Sequence, residues 1–292
     1  ALDVPNLFSL LLMSNSILYW FTEPFSHTFM QHALISAVAV AVICALLSCY
    51  IVLKGWSLMG DAISHAIFPG VVVAFWLGIP MTFGAFIAGV CCAGAVGYLQ
   101  THTRLEEDTL MGVVFSGMFA LGLVIFHKID SGQHLTHLLF GNLLGISRTL
   151  MYQTLGVSAI IFLILILKRR DLLLYCFDSH HAQVAGLSIQ KLHYGLLIIL
   201  SATIVVAMQA VGVILVIAML ISPGMTAFIL CKRFDTMLLT AIISSCFTSV
   251  FGVIISYHLD SATGATIVLM QALVFLGAMI YDKICLWLLN FY

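Results

Sequence analysis

The chain has 292 residues, 62% of them hydrophobic and 8% charged, with a mean hydropathy of +1.16. A soluble domain carries about 25% charged residues, so this composition excludes one, and a net charge of −1 offers no basic surface for nucleic acid. The expected class is all-α, a polytopic helical membrane protein; its long continuous apolar runs argue against a β-barrel, whose strands alternate over about ten residues.

In chain order, residues 1–27 come first. No Lys or Arg precedes Lys54, which argues against a secretory signal peptide with its positive n-region. The apolar stretch 7–21 is interrupted by Ser9, Ser14, Asn15 and Ser16 and ends near Tyr19 and Trp20, aromatics that suit the headgroup level. It reads as an interfacial segment. Apolar runs long enough to cross the hydrocarbon follow at 30–53, 57–77, 81–100, 110–127, 149–167, 192–209, 211–230, 237–257 and 264–281. That makes about nine spans, with eight or ten as the bounds. No Pro/Gly/Ser-rich linker or internal repeat divides residues 1–292, so a single transmembrane domain is expected.

The basic residues set an orientation. With nine spans and an external N-terminus, Lys54, Arg104, Lys168, Arg169, Arg170, Lys191, Lys232, Arg233 and Lys283 share one side, and only Lys128 and Arg148 lie on the other. Positively charged loops stay in the cytoplasm, which places the first group there.

The second run carries the chemistry. Between Ser57 and Leu77 the charged residue is Asp61, with His65 four residues on. Positions i and i+4 share a helix face, and an ionisable group at membrane depth marks function by default. A carboxylate with a neutral imidazole is a ligand pair for divalent transition metals, the oxygen favouring Mn²⁺ and the nitrogen suiting Fe²⁺ or Zn²⁺. Locally, Asp61 as N-cap of a helix starting at Ala62, with His65 a satisfied interior residue, stays open. One pair supplies two ligands; a symmetric dimer would supply four.

Pro69-Gly70 and Ser222-Pro223-Gly224 interrupt apolar runs; locally an ordinary proline kink stays open at Pro223, and together the two interruptions favour backbone groups freed along a pathway. The longest cytoplasmic connection, 168–191, contains Asp178, able to cap a short helix over 179–185, and Gly186, able to end it in a left-handed conformation. A capped helix facing the cytoplasm suits a docking role. His134 and His137 fall in an expected external loop as possible metal contacts, although solvated positions suit them as well. His180 and His181 read as surface residues, and His27, His32, His102, His127, His193 and His258 are given no role. The eight cysteines form no CxxC pair and read as small buried hydrophobes without disulfides. No G-x-x-x-x-G-K-[ST] loop occurs, so ATP is not hydrolysed by this chain.

The run Val52-Leu53-Lys54-Gly55-Trp56-Ser57-Leu58-Met59-Gly60-Asp61-Ala62-Ile63-Ser64-His65-Ala66-Ile67-Phe68-Pro69-Gly70 resembles the signature of the integral-membrane permeases of manganese, iron and zinc ABC importers. Further blocks are similar: Arg104 to Gly112, Phe115 to Gly122, Leu139 to Gly145, and Val211 to Pro223. The resemblance implies a type II importer fold and a non-catalytic permease in a bacterial cytoplasmic membrane. Its implied partners are a second permease, the same chain or a related one, a cytoplasmic ATPase dimer that binds ATP, and an external metal-binding protein. It implies Asp61 and His65 as the residues contacting the transported ion, and Asp178, Ala182, Ala185, Gly186 and Leu187 as a coupling helix seated on the ATPase. No permanently bound cofactor is implied. Pro69 and Lys54-Gly55-Trp56 are more similar to the manganese and chelated-iron branch, giving Mn²⁺ or Fe²⁺ as cargo. A zinc permease of the same family is the alternative, and a proton-coupled secondary transporter a more distant one.

Overall fold

A computed structural model describes residues 23–56, 58–103, 107–128 and 145–289. The apolar stretch 7–21 and the pair His134 and His137 lie outside the described residues. Every regular element among the described residues is helical. A 3₁₀ turn, Glu23–Ser26, leads into α1 (Thr28–Lys54), followed by α2 (Met59–Ala66), α3 (Phe68–Trp76), α4 (Met81–His102) and α5 (Glu107–His127). After the undescribed segment come α6 (Arg148–Leu167), α7 (Arg169–Phe177), α8 (Ser179–Val184), α9 (Ile189–Val211), α10 (Val213–Leu230), α11 (Phe234–Leu259) and α12 (Thr263–Leu289).

Among the described residues eight segments are long and apolar enough to cross a membrane, with α2 and α3 counted together as Met59–Trp76. A shorter apolar helix, Leu215–Leu230 within α10, accompanies them. The chain is thus an all-helical membrane protein within the range its composition set. α1 is the centre: 72% of its most apolar window is buried, and α6, α7, α9, α10 and α11 all pack on it. The α2–α3 pair lies against α4 and α5, while α12 packs on α10 and α11.

Several hydroxyls inside these spans return to the helix that carries them. Ser64 Oγ donates to the Gly60 carbonyl at 2.7 Å, Ser201 Oγ to Leu197 at 2.9 Å, and Thr226 Oγ1 to Ser222 at 2.8 Å. Each is an i→i−4 bond that leaves no donor facing hydrocarbon.

Two expected interruptions turn out differently. The run 57–77 divides at Ile67, with Pro69 opening α3 near its N-terminus, a position where its missing N–H is tolerated. The Ser222-Pro223-Gly224 sequence, open from sequence to a break or to an ordinary proline kink, lies inside a continuous α10. The reason is a hydroxyl from another helix. Ser48 of α1 donates to the Ile221 carbonyl at 3.2 Å and accepts the Gly224 N–H at 2.9 Å, so the backbone around the proline is satisfied from outside. The Gly224 position also meets α1 at backbone distance, since a Cβ there would stand 2.8 Å from the Ser48 carbonyl oxygen.

Gly70 of α3 and Gly84 of α4 make a second such crossing, each glycine facing the backbone carbonyl of the other. Helices in a membrane gain from close packing rather than from leaving water, so small residues at crossings set their geometry. Gly70→Ala forces α3 and α4 apart, and overpacking of this kind costs about 1–3 kcal/mol. The thermal midpoint of the purified permease in detergent is expected to fall for Gly70→Ala and to hold or rise for Gly156→Ala, where a methyl meets nothing within 4 Å. Equal midpoints would remove the close approach from the account.

Candidate functional site

The site begins where α1 stops. Gly55 takes the left-handed conformation (φ 76°), its N–H bonds to the Val52 carbonyl at 3.2 Å, and the Trp56 N–H closes on Ile51 at 3.0 Å. This double bond across the helix end is a left-handed glycine stop. Trp56 is completely buried, and its carbonyl accepts from the Met59 N–H at 3.2 Å as α2 begins.

Asp61 therefore stands within the first turn of α2. It is not the N-cap: Leu58 occupies that position, with no side-chain cap bond. The helix starts earlier than an Asp61 cap requires because Met59 is buried and Gly60 lies against Leu220 of α10, 3.4 Å from where its Cβ would be. Freed from capping, the Asp61 carboxylate meets the His65 ring one turn on, with Oδ1 3.3 Å from Nε2. Both side chains remain about one-third exposed, 35% and 38%.

The ring of His65 is held by aromatic contacts from α5. It stacks on Phe115 (centroids 5.9 Å, planes 30° apart) and meets Phe119 edge-on at 5.5 Å. Phe68 of α3 packs on Phe119 at 5.5 Å, continuing this wall toward Pro69. Pro69 has no N–H to give the His65 carbonyl four residues back, and it lies against Gly122 of α5, where a Cβ would come 2.9 Å from the proline nitrogen. Phe115 and Phe119 fall in the block from Phe115 to Gly122, and the sequence alone assigns neither to the site. The signal was their i, i+4 spacing, which puts both rings on one face of α5.

One carboxylate oxygen and one imidazole nitrogen thus sit side by side, reachable from outside and backed by aromatic rings. The donor set suits Mn²⁺, Fe²⁺ or Zn²⁺. Among the described residues no group of three or more His, Cys, Asp or Glu gathers anywhere. Within those residues this chain brings two ligands to the pair.

A separate arrangement occupies the segment between α6 and α9. Asp178 caps α8, its Oδ1 accepting the backbone N–H of His180 at 2.9 Å and of His181 at 3.0 Å. At the other end Gly186 is left-handed (φ 82°), with its N–H on Gln183 at 3.0 Å and the Leu187 N–H on Ala182 at 3.0 Å. These two bonds complete a Schellman stop, and the buried Ala182 lies beneath it. The helix expected over 179–185 is present as Ser179–Val184. Phe177 and Val184 are exposed on either end of it, at 80% and 86%. α7 is anchored by ion pairs, Lys168 with Asp171 at 3.1 Å and Arg169 with Asp235 of α11.

Pro69, Gly70, Pro223 and Gly224 are all placed at helix crossings: Pro69 against α5, Gly70 against α4, and the Pro223-Gly224 pair beside Ser48 of α1. His193, given no role from sequence, joins Tyr175 and Trp56 beside Lys54.

The model of the ABC 3 transport family matches residues 26–282. The chain is 57% identical over 270 residues to the chelated iron transport system membrane protein YfeD of Yersinia pestis, covering 92% of this chain and 91% of that one. It is 49% identical over 262 residues to the manganese transport system membrane protein MntB of Synechocystis, covering 90% and 86%. Among solved structures it resembles PsaBC from Streptococcus pneumoniae in complex with Fab, at a TM-score of 0.81 and 36% identity, over 90% of this chain and 95% of that one.

The cap of α8 carries a pH dependence. The backbone N–H of His181, then that of His180, with both rings nearby, hold the Asp178 carboxyl below the usual carboxylate range. A carboxyl with a lowered folded pKa contributes stability above its unfolded pKa, and that contribution is lost as pH falls through the folded value. The protection of the His180 and His181 amides relative to intrinsic exchange at each pH should accordingly hold at neutral pH and fall only at acid pH below the ordinary carboxylate range. Asp178→Ala should lower it at every pH and Asp178→Asn less, because Asn also caps; unchanged protection in Asp178→Ala would discount the cap.

Proposed function

Because the chain belongs to the ABC 3 transport family, we propose that it is the membrane-spanning permease of an ATP-driven importer that carries Mn²⁺ or Fe²⁺ into the cytoplasm. The observation that carries this reading is the Asp61–His65 pair, 3.3 Å apart on α2 and about one-third exposed. A carboxylate paired with an imidazole would be costly at membrane depth without a use. The relatives named for chelated iron and manganese transport support the choice of cargo.

In this mechanism a second permease brings its own pair across a two-fold axis, so that four protein ligands surround one ion and water completes the shell. The dehydration cost is limited because the carboxylates carry the compensating charge. Phe115 and Phe119 hold the His65 ring in place beside Asp61. A soluble metal-binding protein delivers the ion from outside, and the ion leaves toward the side that holds Lys54.

The energy comes from a separate ATPase. α8, capped at Asp178 and stopped at Gly186, with Phe177 and Val184 exposed at its ends, is the segment proposed to seat on that partner. Closure of two ATPases on ATP moves α8 of each permease, and the helices rock between outward and inward access. Reciprocal linkage requires that a loaded site also bias the ATPases.

Asp61→Ala and His65→Ala should each reduce metal uptake by at least about tenfold at wild-type expression, the range in which loss of supporting residues already lowers metal affinity. Uptake by the reconstituted complex with its own binding protein, read for Mn, Fe and Zn together, identifies the cargo. Undiminished uptake in both variants would sink the ion site, and preference for Zn would overturn the choice of metal.

A further inference from the structure

The segment that opens the ion-bearing helix is tied to the proposed coupling helix by a chain of side chains outside both sites. Lys54, the last residue of α1, donates from Nζ to Ser179 Oγ, the first residue of α8, at 3.0 Å. The same ammonium lies 4.5 Å over the ring of Tyr175 in α7. The Tyr175 hydroxyl shares a hydrogen bond of 2.9 Å with Nδ1 of His193 in α9. The His193 ring in turn meets Trp56 edge-on, 5.3 Å between centroids and 85° between planes. Trp56 is completely buried and its carbonyl holds the Met59 N–H at which α2 starts.

Three features suit this chain to carrying force. Its links are directional, two hydrogen bonds and two oriented ring contacts, so a shift of α8 changes their geometry rather than sliding past. Gly97 of α4 admits the His193 ring, since a Cβ there would lie 3.0 Å from Nε2, which confines His193 between α4, Tyr175 and Trp56. Beside the chain, a cavity of about 610 Å³ extends to Tyr98, Gln100 and His102 at the end of α4. Tyr175 of α7 and Ser179 of α8 also line this cavity, which leaves open volume beside both helices.

We propose that Lys54, Trp56, Tyr175 and His193 form a transmission latch through which movement of α8 repositions the start of α2 and with it the Asp61–His65 pair. The proposal rests on the reading of α8 as the ATPase-docking helix. The four are positioning residues: none touches the ion. Severing the latch leaves ATP hydrolysis running and disconnects it from metal movement.

The test uses the reconstituted complex with its ATPase and binding protein, measuring ATP hydrolysed and metal imported in the same vesicles. Tyr175→Phe keeps the ring under Lys54 and removes the bond to His193. Lys54→Met keeps the stem and removes both the Ser179 bond and the cation over Tyr175. Lys191→Met removes a charge from the same connection without touching the latch. Metal imported per ATP is expected to fall about tenfold for the first two, within the usual range of coupling between sites. Hydrolysis should stay within about twofold, and the double variant should be no worse than the worse single one, as for links in one chain. Lys191→Met should match wild type. An unchanged ratio in Tyr175→Phe overturns the latch, and so does a parallel loss of hydrolysis and uptake, which would make the network a support for folding or docking. Asp61→Asn separates the premises: if it abolishes uptake while Tyr175→Phe transports normally, the latch alone fails, and if wild type imports no metal, the function itself fails.

Discussion

Hydrocarbon offers no water to a backbone N–H or carbonyl, so any departure from regular helix must be satisfied by another part of the chain. Two features around the site are answers to that constraint. At Gly55 the helix end bonds to itself, with Gly55 and Trp56 returning to Val52 and Ile51. At Pro223 the answer is remote: Ser48 donates to Ile221 and accepts from Gly224 across two helices.

The same constraint explains why the helices meet at glycine. Without a solvent-driven preference for one apolar face over another, helices gain mainly from contact, and contact is greatest where backbones touch. Gly224 against Ser48 draws α10 onto α1, and Gly70 against Gly84 draws α3 onto α4. α2 is caught between these two pairs, with Gly60 on Leu220 of α10 and the ring of His65 on Phe115 and Phe119 of α5. Its position follows from packing on both sides.

Placing Asp61 and His65 there resolves a conflict between cost and use. A lone buried carboxylate would be strongly destabilising. Pairing it with an imidazole at i+4 and leaving both about one-third exposed lowers that cost without sealing the ligand atoms. The arrangement is open on one side, as the proposed completion by a second copy and a passing ion requires. A short connection, Lys54 to Leu58, joins this pair to the buried tryptophan and the lysine that reach toward α7 and α8. The run from Lys54 to His65 thus holds the proposed ligand pair and, at its beginning, the residues that approach the segment proposed to seat on the ATPase.

Much of this was legible without coordinates, and the legible part is local. Composition and run length determined a polytopic helical membrane protein. Spacing put Asp61 and His65 on one face, and the chemistry of Asp178 and Gly186 bounded a short helix, because each of these depends on residues a few positions apart. What only tertiary structure decided depends on residues far apart in the chain. Ser48 and Ile221 are 173 positions apart, and their bond keeps α10 unbroken where Pro223 left a break or a kink open. Phe115 beside His65, Leu220 beside Gly60, and Tyr175 and His193 beside Trp56 are likewise meetings between distant segments. A span that is apolar on all sides carries no periodic signal to say which face meets which neighbour, so those choices belong to packing alone.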